Sequence, residues 1–266
     1  MAAINSSKKR TGSLPWAALS RQSAFYIALL VLWYWYAHSG LIVSYAFADP
    51  LDVGHTLVDG FRSGTFEIAI LVTMRRLIIG YVISLIIGLL LGLLIGRNRY
   101  AKETLGSLIL GLQALPSVCW VPFALLWFGL SENAMTFVVV MGALFSITLG
   151  VEAGVKTTPP LYLKAARNMG ARGVDLIIRV ILPAALPSIL SGLKQGWTFA
   201  WRSLMAAELI YITAQSLGGQ LDMGRELSDY AQLIAVMLII IAIGILTELI
   251  IFAPFERRVR ERWGFS

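Results

Sequence analysis

The sequence predicts an all-α membrane protein, a polytopic bundle of about six transmembrane helices. Hydrophobic residues make up 58% of the 266-residue chain, charged residues make up 14%, and the mean hydropathy is +0.75. A soluble domain carries roughly 25% charged residues, so much of this chain must face lipid. We therefore expect a single transmembrane domain over residues 1–266 and no soluble enzyme fold.

Windows without charged residues locate the spans, because about 20 apolar residues cross a bilayer. Five windows are clear: 24–48, 77–96, 104–131, 133–151 and 230–247. A sixth segment, from about 187 to 212, is apolar in bulk but contains Lys194, Arg202 and Glu208. We count it as a span because its two flanking loops would otherwise lie on the same side of the membrane.

The basic residues orient this bundle. With the N-terminus inside, the cytoplasmic segments hold 16 of the 22 basic residues, and loops rich in Lys and Arg are retained in the cytoplasm. Residues 1–23 then form a cytoplasmic tail, and both termini are cytoplasmic. The net charge of +7 reflects this topology and does not require nucleic acid as a partner. A signal peptide cleaved after Ala48 is the alternative for the first window, which is longer than a signal core.

Residues for catalysis, metal binding and nucleotide binding are missing from the sequence. One cysteine, Cys119, and two histidines, His38 and His55, cannot build a metal cluster. We find no HExxH, GxSxG or Walker A pattern, so we expect no metal and no catalytic residue on this chain.

Two spans contain helix-modifying residues. Glycines recur in the second span at small-xxx-small spacing, which predicts close helix packing, at Gly80, Gly88, Gly92 and Gly96. The third span contains Pro116 and Pro122, which remove main-chain hydrogen bonds. A broken helix at membrane depth indicates either a packing kink or a transport pathway.

Ionisable residues inside the spans are the candidate pathway residues. On the fifth span one helical face carries Lys194, Trp197, Trp201, Met205 and Glu208, with Arg202 beside it. This face either lines a central cavity suited to a small anion, or Glu208 pairs structurally with a basic residue while Lys194 reaches the cytoplasmic surface. Arg75 and Arg76 lie at the outer end of the second span, as anion attractors or lipid-headgroup contacts.

The longest cytoplasmic loop, over residues 155–182, has an internal pattern. After Pro159 and Pro160 we predict a short helix that ends at Gly170, then a second helix that ends at Pro183. Adjacent alanines at 165 and 166 predict a low ridge that fits a groove of another protein. An ordinary basic loop is the alternative.

This pattern resembles the EAA loop of the membrane subunits of ATP-binding cassette importers, E-A-A-x3-G-x9-I-x-L-P. The residues at these positions, expected to couple to the ATPase, are Lys164, Ala165, Ala166, Gly170, Val180, Leu182 and Pro183. Val180 replaces Ile, and Lys164 stands where the family often has Glu, so that glutamate's salt bridge to the ATPase is not implied here.

The resemblance covers residues from about 73 to 263. Over this range the chain is similar to the nitrate, taurine, sulfonate and bicarbonate branch of these permeases. It is carried, in order, by the segments Met74-Arg75-Arg76-Leu77-Ile78-Ile79-Gly80-Tyr81, Leu126-Trp127-Phe128-Gly129-Leu130, Ala207-Glu208-Leu209, and Phe255-Glu256-Arg257-Arg258 with Trp263.

The resemblance implies a permease of the type I ABC importer fold in the bacterial plasma membrane. It further implies a pair of permease copies, commonly a homodimer, two cytoplasmic ATPase subunits that bind ATP and magnesium, and an extracytoplasmic solute-binding protein. The implied function is import of a small anion by alternating access. An ion channel subunit and a membrane-embedded enzyme are the alternatives.

Overall fold

A computed structural model describes residues 15–39, 48–211, 213 and 215–263, which form helices joined by short connections and no strand. The helices are α1 (Pro15–His38), α2 (Pro50–Arg62), α3 (Thr65–Arg97), α4 (Arg99–Gln113), α5 (Ser117–Phe128), α6 (Glu132–Thr157), α7 (Pro160–Asn168), α8 (Gly173–Ile210), α9 (Leu217–Glu226) and α10 (Tyr230–Val259). Helical structure continues from α10 to Trp263.

Four of these helices, α3, α6, α8 and α10, are long and apolar enough to cross a membrane. The pair α4 and α5 bends by 98° and makes a fifth span if it is counted as one. The all-helical membrane fold is confirmed, but in the described residues the expected six spans become four or five.

The first expected span contains helix α1, which is not among the helices apolar enough to be counted as spans. Helix α1 ends at His38, well short of Ala48, and residues 40–47 lie outside the described part of the chain. Arg21 and several tyrosines and tryptophans dilute its apolar residues. Helix α1 contacts the residues just before α2, because the Trp33 Nε1 donates to the Ala48 carbonyl at 3.2 Å.

Helix α6 lies at the centre of the core, between α3 and α8. Its contacts with α3 are made at the four predicted glycines: a Cβ on Gly92 would lie 2.5 Å from the Cβ of Val151, and one on Gly80 would lie 2.5 Å from Val139 Cγ1. Gly88 meets Ile147 and Gly96 meets Val155 in the same way. Close packing through these glycines is confirmed, since any side chain there would overlap α6.

The contact between α6 and α8 is closer still. A Cβ on Gly150 would lie 2.5 Å from the Gly192 Cα, and one on Gly154 would lie 2.8 Å from the Ala185 Cβ. Main chain therefore meets main chain where these helices cross, which fixes the position of α8 relative to the core.

The helix predicted to end at Pro183 does not end there. It continues as α8 through Pro183 and Pro187 to Ile210. A π-helical turn over Ile177–Ile181 immediately precedes Pro183. In an α-helix, a proline ring clashes with the carbonyl four residues before it and removes one hydrogen bond. The π-helical turn has a different hydrogen-bond pattern, so it accommodates Pro183 within the helix.

The break in the third window lies at Pro116. Helix α4 ends at Gln113, the chain turns, and α5 begins at Ser117. Pro122 instead falls in the first turn of the α-helix Trp120–Phe128, where an N–H would have no partner within the helix. Pro116 thus belongs to the break, and Pro122 is an ordinary residue of a helix start.

Candidate functional site

The bend between α4 and α5 opens a cavity of about 270 Å³ beside α8. Its polar lining comes from Gln113, Ser117 and Arg202, and Phe145 and Phe199 add aromatic surface. The Gln113 amide donates to the Ser146 hydroxyl at 3.3 Å, which holds the end of α4 against α6. The break at Pro116 therefore faces a charged residue of α8.

The depth of Arg202 in the bundle can be read from the neighbouring helix α6. Gly142 packs against Phe199 and Ser203, so this part of α8 is level with Gly142. Ten residues separate Gly142 from the start of α6 at Glu132, a rise of about 15 Å, which is half the thickness of the hydrocarbon core.

The side chain of Arg202 is exposed, and among the described residues no carboxylate lies within 4.0 Å of it. An arginine at mid-membrane costs roughly 2.5 to 3.5 kcal/mol on insertion scales, so such residues face protein partners or water. Here the side chain borders the cavity at the break, which indicates a polar pathway.

A polar stripe on α8 leads away from Arg202. Its members are exposed and recur every three or four residues: Ser191, Gln195, Thr198 and Arg202. The lower part of this stripe borders a second cavity of about 640 Å³, also lined by Lys194 and Glu256. Two cavities therefore adjoin one polar face of α8.

The aromatic face predicted to line the pathway packs inward instead. The Trp197 ring contacts Tyr81 at 5.1 Å and Phe252 at 6.2 Å between centroids. Trp201 and Met205 pack against the buried core. Their large apolar side chains fill the seam between helices, so the exposed stripe lies on a different face of α8.

Lys194 lies at the edge of the inward face and is ion-paired. Its ammonium contacts the carboxylate of Glu248, on α10, and lies 3.8 Å from that of Glu256. This pair joins α8 to α10. The side chain is half-buried and borders both the 640 Å³ cavity and the seam beside Trp197.

Glu208 forms a buried network with Arg76, as the structural alternative expected. The exposed fraction of Glu208 is 0% and that of Arg76 is 5%. The Arg76 Nη1 donates to Glu208 at 2.9 Å, the Thr73 hydroxyl donates at 3.0 Å, and the Gly218 N–H donates at 3.0 Å. Arg76 therefore does not face an outer surface, whereas neighbouring Arg75 is exposed.

A third charged residue, Glu132, which separates the uncharged windows 104–131 and 133–151, completes the network. The Arg76 Nε donates to Glu132 at 2.9 Å, and Nη2 contacts the same carboxylate. Glu132 begins α6, so the network joins four helices, α3, α6, α8 and α9, near one end of the bundle. The sequence does mark Glu132 as the first residue of an apolar helix, because acidic residues are common in the first helical turn.

The short helix α7 presents its two alanines differently from the predicted ridge. Ala165 and Lys164 are exposed, but Ala166 is buried against the core. Gly170 ends the turn with φ +91°, a conformation that glycine adopts without strain, and the Ala171 N–H donates to the Ala166 carbonyl at 2.9 Å. Leu182, Pro183 and Val180 are half-buried along the start of α8.

Residues 84–261 match the family described as binding-protein-dependent transport system inner membrane component. The chain belongs to this family. It is 31% identical over 239 residues to the putative aliphatic sulfonates transport permease SsuC of Escherichia coli, covering 90% of this chain and 89% of that protein. It is 27% identical to the taurine transport permease TauC of E. coli, with 94% of each chain covered.

Solved structures agree in fold. A chain of an amino acid ABC transporter with histidines superposes with a TM-score of 0.60 at 20% identity, covering 76% of this chain and 97% of that one. A chain of the inward-facing MetNI methionine transporter gives 0.55 at 21% identity, covering 75% and 94%.

The chain is a permease subunit of an ATP-binding cassette importer in the inner membrane, and it works with a separate ATPase and a binding protein. The family predicted from the loop pattern and the sulfonate, taurine and nitrate branch is therefore confirmed. The alternatives of an ion channel subunit and a membrane-embedded enzyme are excluded by this membership.

Proposed function

We propose that this permease imports a small anion through the cavity beside Arg202. The observation that carries the proposal is an exposed arginine at a helix break, about 15 Å of helix from the start of α6, with no carboxylate within 4.0 Å among the described residues. Relatives are named for aliphatic sulfonates, taurine and nitrate, each of which carries a negatively charged oxygen group.

The chemistry of the lining suits such a group. A guanidinium is planar and stays charged, and it donates two parallel hydrogen bonds to an oxyanion. The Gln113 amide and the Ser117 hydroxyl border the same cavity and add neutral donors. A sulfonate, nitrate or bicarbonate would therefore replace some of its water shell with fixed donors.

A second copy of the chain is part of this proposal. The stripe at Ser191, Gln195, Thr198 and Arg202 is too polar to face lipid. Two copies that turn their α8 stripes toward each other would enclose a shared polar pathway. A homodimer satisfies this requirement without another subunit.

The proposed topology keeps both termini in the cytoplasm. This topology requires α1 to cross the bilayer as well. Its 24 residues make about 36 Å of helix, which is long enough, although its aromatic and polar residues leave it less apolar than the four counted spans. The basic tail at Lys8, Lys9 and Arg10 and the basic C-terminal helix favour the same side. Arg75 remains a proposed outer anion attractor on this orientation.

Helix α7 is the proposed contact with the ATPase, which carries the ATP and magnesium. The helix that follows it, α8, runs without interruption from Gly173 to Ile210 and contains Arg202. A displacement of the α7 end would therefore be transmitted along one helix to the cavity. ATP binding then alternates access by favouring one arrangement of the two copies.

Replacing Arg202 with glutamine tests the anion site. A charge-assisted hydrogen bond is worth 1.5 to 3 kcal/mol, so we expect Arg202→Gln to lower ATP-driven anion uptake by about tenfold or more. Basal ATPase activity of the assembled complex should persist, because Arg202 is not part of the core. Arg202→Lys should retain part of the uptake.

The matched control is Arg62→Gln, which removes an exposed arginine at the end of α2, away from the cavity. Uptake should be unchanged in that variant. Normal anion uptake by Arg202→Gln at matched expression would contradict the proposed site.

A further inference from the structure

One face of α7 is left uncovered by the part of the chain that the structure describes. Leu161, Lys164, Ala165 and Asn168 share this face at three- and four-residue spacing, and all are exposed. The opposite side, at Leu163 and Ala166, packs against the core. Lys164 therefore lies in the middle of the outward face, directly beside Ala165.

The same face has apolar residues at both ends. Leu161 is 71% exposed and Met169 is 87% exposed. Large apolar side chains on a helix that begins past the end of α6 indicate a surface that another protein covers. An occupant that covers them must also cover the ammonium of Lys164 between them.

The charge around this face is positive and not compensated within the described part of the chain. Lys164, Arg167 and Arg172 have no carboxylate within 4.0 Å there. The two acidic side chains nearest in sequence are already paired, Glu152 with Lys156 and Asp175 with Arg179. A partner must therefore supply the negative charge.

We propose that the ATPase groove that receives α7 carries a carboxylate facing Lys164. This rests on the proposed docking of α7. Covering an ammonium without a counter-charge is unfavourable, and an opposite charge in the groove removes that penalty and sets the register of the helix. The pairing is the reverse of the one a glutamate at position 164 would require, so this permease selects its own ATPase by charge.

The test uses the full chain with its ATPase in nanodiscs of phosphatidylcholine alone. We expect Lys164→Glu to weaken binding of the ATPase about tenfold, because a favourable pair becomes a repulsive one. Lys102→Glu, the same change at an exposed residue of α4, should leave binding unchanged. Binding of the unaltered pair should weaken with added salt.

A carbodiimide cross-link provides a second measurement. It joins an amine to a nearby carboxylate, so Lys164 should become linked to an acidic residue of the ATPase, as located by mass spectrometry. Lys164→Arg keeps the charge but removes the amine, and should retain binding while losing the cross-link. Reversing the linked acidic residue to lysine should restore binding to Lys164→Glu.

The outcomes separate the charge pairing from the docking itself. If Ala165→Trp abolishes binding while Lys164→Glu and salt have no effect, α7 docks but the acidic groove is wrong. If Ala165→Trp has no effect either, the proposed docking fails. If Lys164 matters only after phosphatidylglycerol is added to the nanodiscs, its partner is a lipid headgroup, and the inference is overturned.

Discussion

Replacing Arg76 with methionine is expected to prevent most of the chain from accumulating in folded form. The change leaves the Glu208 carboxylate fully buried with its charge uncompensated, and breaking a buried pair in this way costs about 3 to 5 kcal/mol. The yield of monodisperse protein in detergent and its thermal unfolding midpoint measure this effect. Arg75→Met, at the exposed neighbour, should change neither value.

A second substitution shows whether the charge or the shape of Arg76 matters. In Arg76→Met with Glu208→Gln, the buried charge is gone, and the amide oxygen can still accept from Thr73 and the Gly218 N–H. We expect this double variant to be more stable than Arg76→Met alone. If Arg76→Met unfolds at the same temperature as the unaltered protein, the network does not stabilise the fold.

Replacing Gly192 with leucine is expected to separate α6 from α8. A Cβ at this position would lie 2.7 Å from the Gly150 Cα and 3.0 Å from the Ser146 carbonyl oxygen. Main-chain atoms cannot rotate away as a side chain can, so the cost should reach or exceed the roughly 1 to 3 kcal/mol typical of overpacking.

The matched control for this change is Gly244→Leu in the middle of α10, where no atom lies within 4 Å of an added Cβ. Thermal unfolding of both purified variants measures the difference. Because α8 carries Arg202, residual folded Gly192→Leu should also lose uptake. Equal unfolding midpoints for the two variants would show that the close approach of α6 and α8 is not required.

The charge pattern predicted the membrane helices well because the bilayer imposes it. An apolar stretch long enough to cross is visible from composition alone, so α3, α6 and α10 each contain one of the uncharged windows. Helix α3 begins twelve residues before its window, and α10 ends twelve residues after its window. Helix α8 was included despite Lys194, Arg202 and Glu208, and it is one of the long apolar helices. The first window failed because α1, although long enough, is displaced toward the N-terminus from the window and is rich in aromatic and polar residues.

The candidate site was predicted less well, because periodicity shows which residues share a face but not what covers that face. Trp197, Trp201 and Glu208 do share a face, and α3 and α10 cover it. The pairing of Arg76 with Glu208 joins residues 132 positions apart, which local spacing cannot show. For the same reason Ala165 and Ala166 were given one role, although only Ala165 is exposed.

The rule that proline interrupts a helix predicted both a break at Pro116 and a helix end at Pro183. The break at Pro116 is confirmed, and the helix end at Pro183 is wrong. The difference lies in the neighbouring main chain. A π-helical turn precedes Pro183 and absorbs the proline within a continuous helix, and no sequence signal marks that turn. The result matters for function, because α8, which follows α7 after the turn at Gly170, is then a single helix as far as Arg202.

The measurement that tests the central claim most directly is solute accumulation in proteoliposomes that contain the permease, its ATPase and its binding protein. We predict ATP-dependent uptake of a small oxyanion, tested with nitrate, bicarbonate and an aliphatic sulfonate, and no uptake when the binding protein is omitted. Uncharged solutes of similar size should not compete. ATP-driven accumulation of a solute that has no negatively charged oxygen group, with none of these anions transported, would contradict the account.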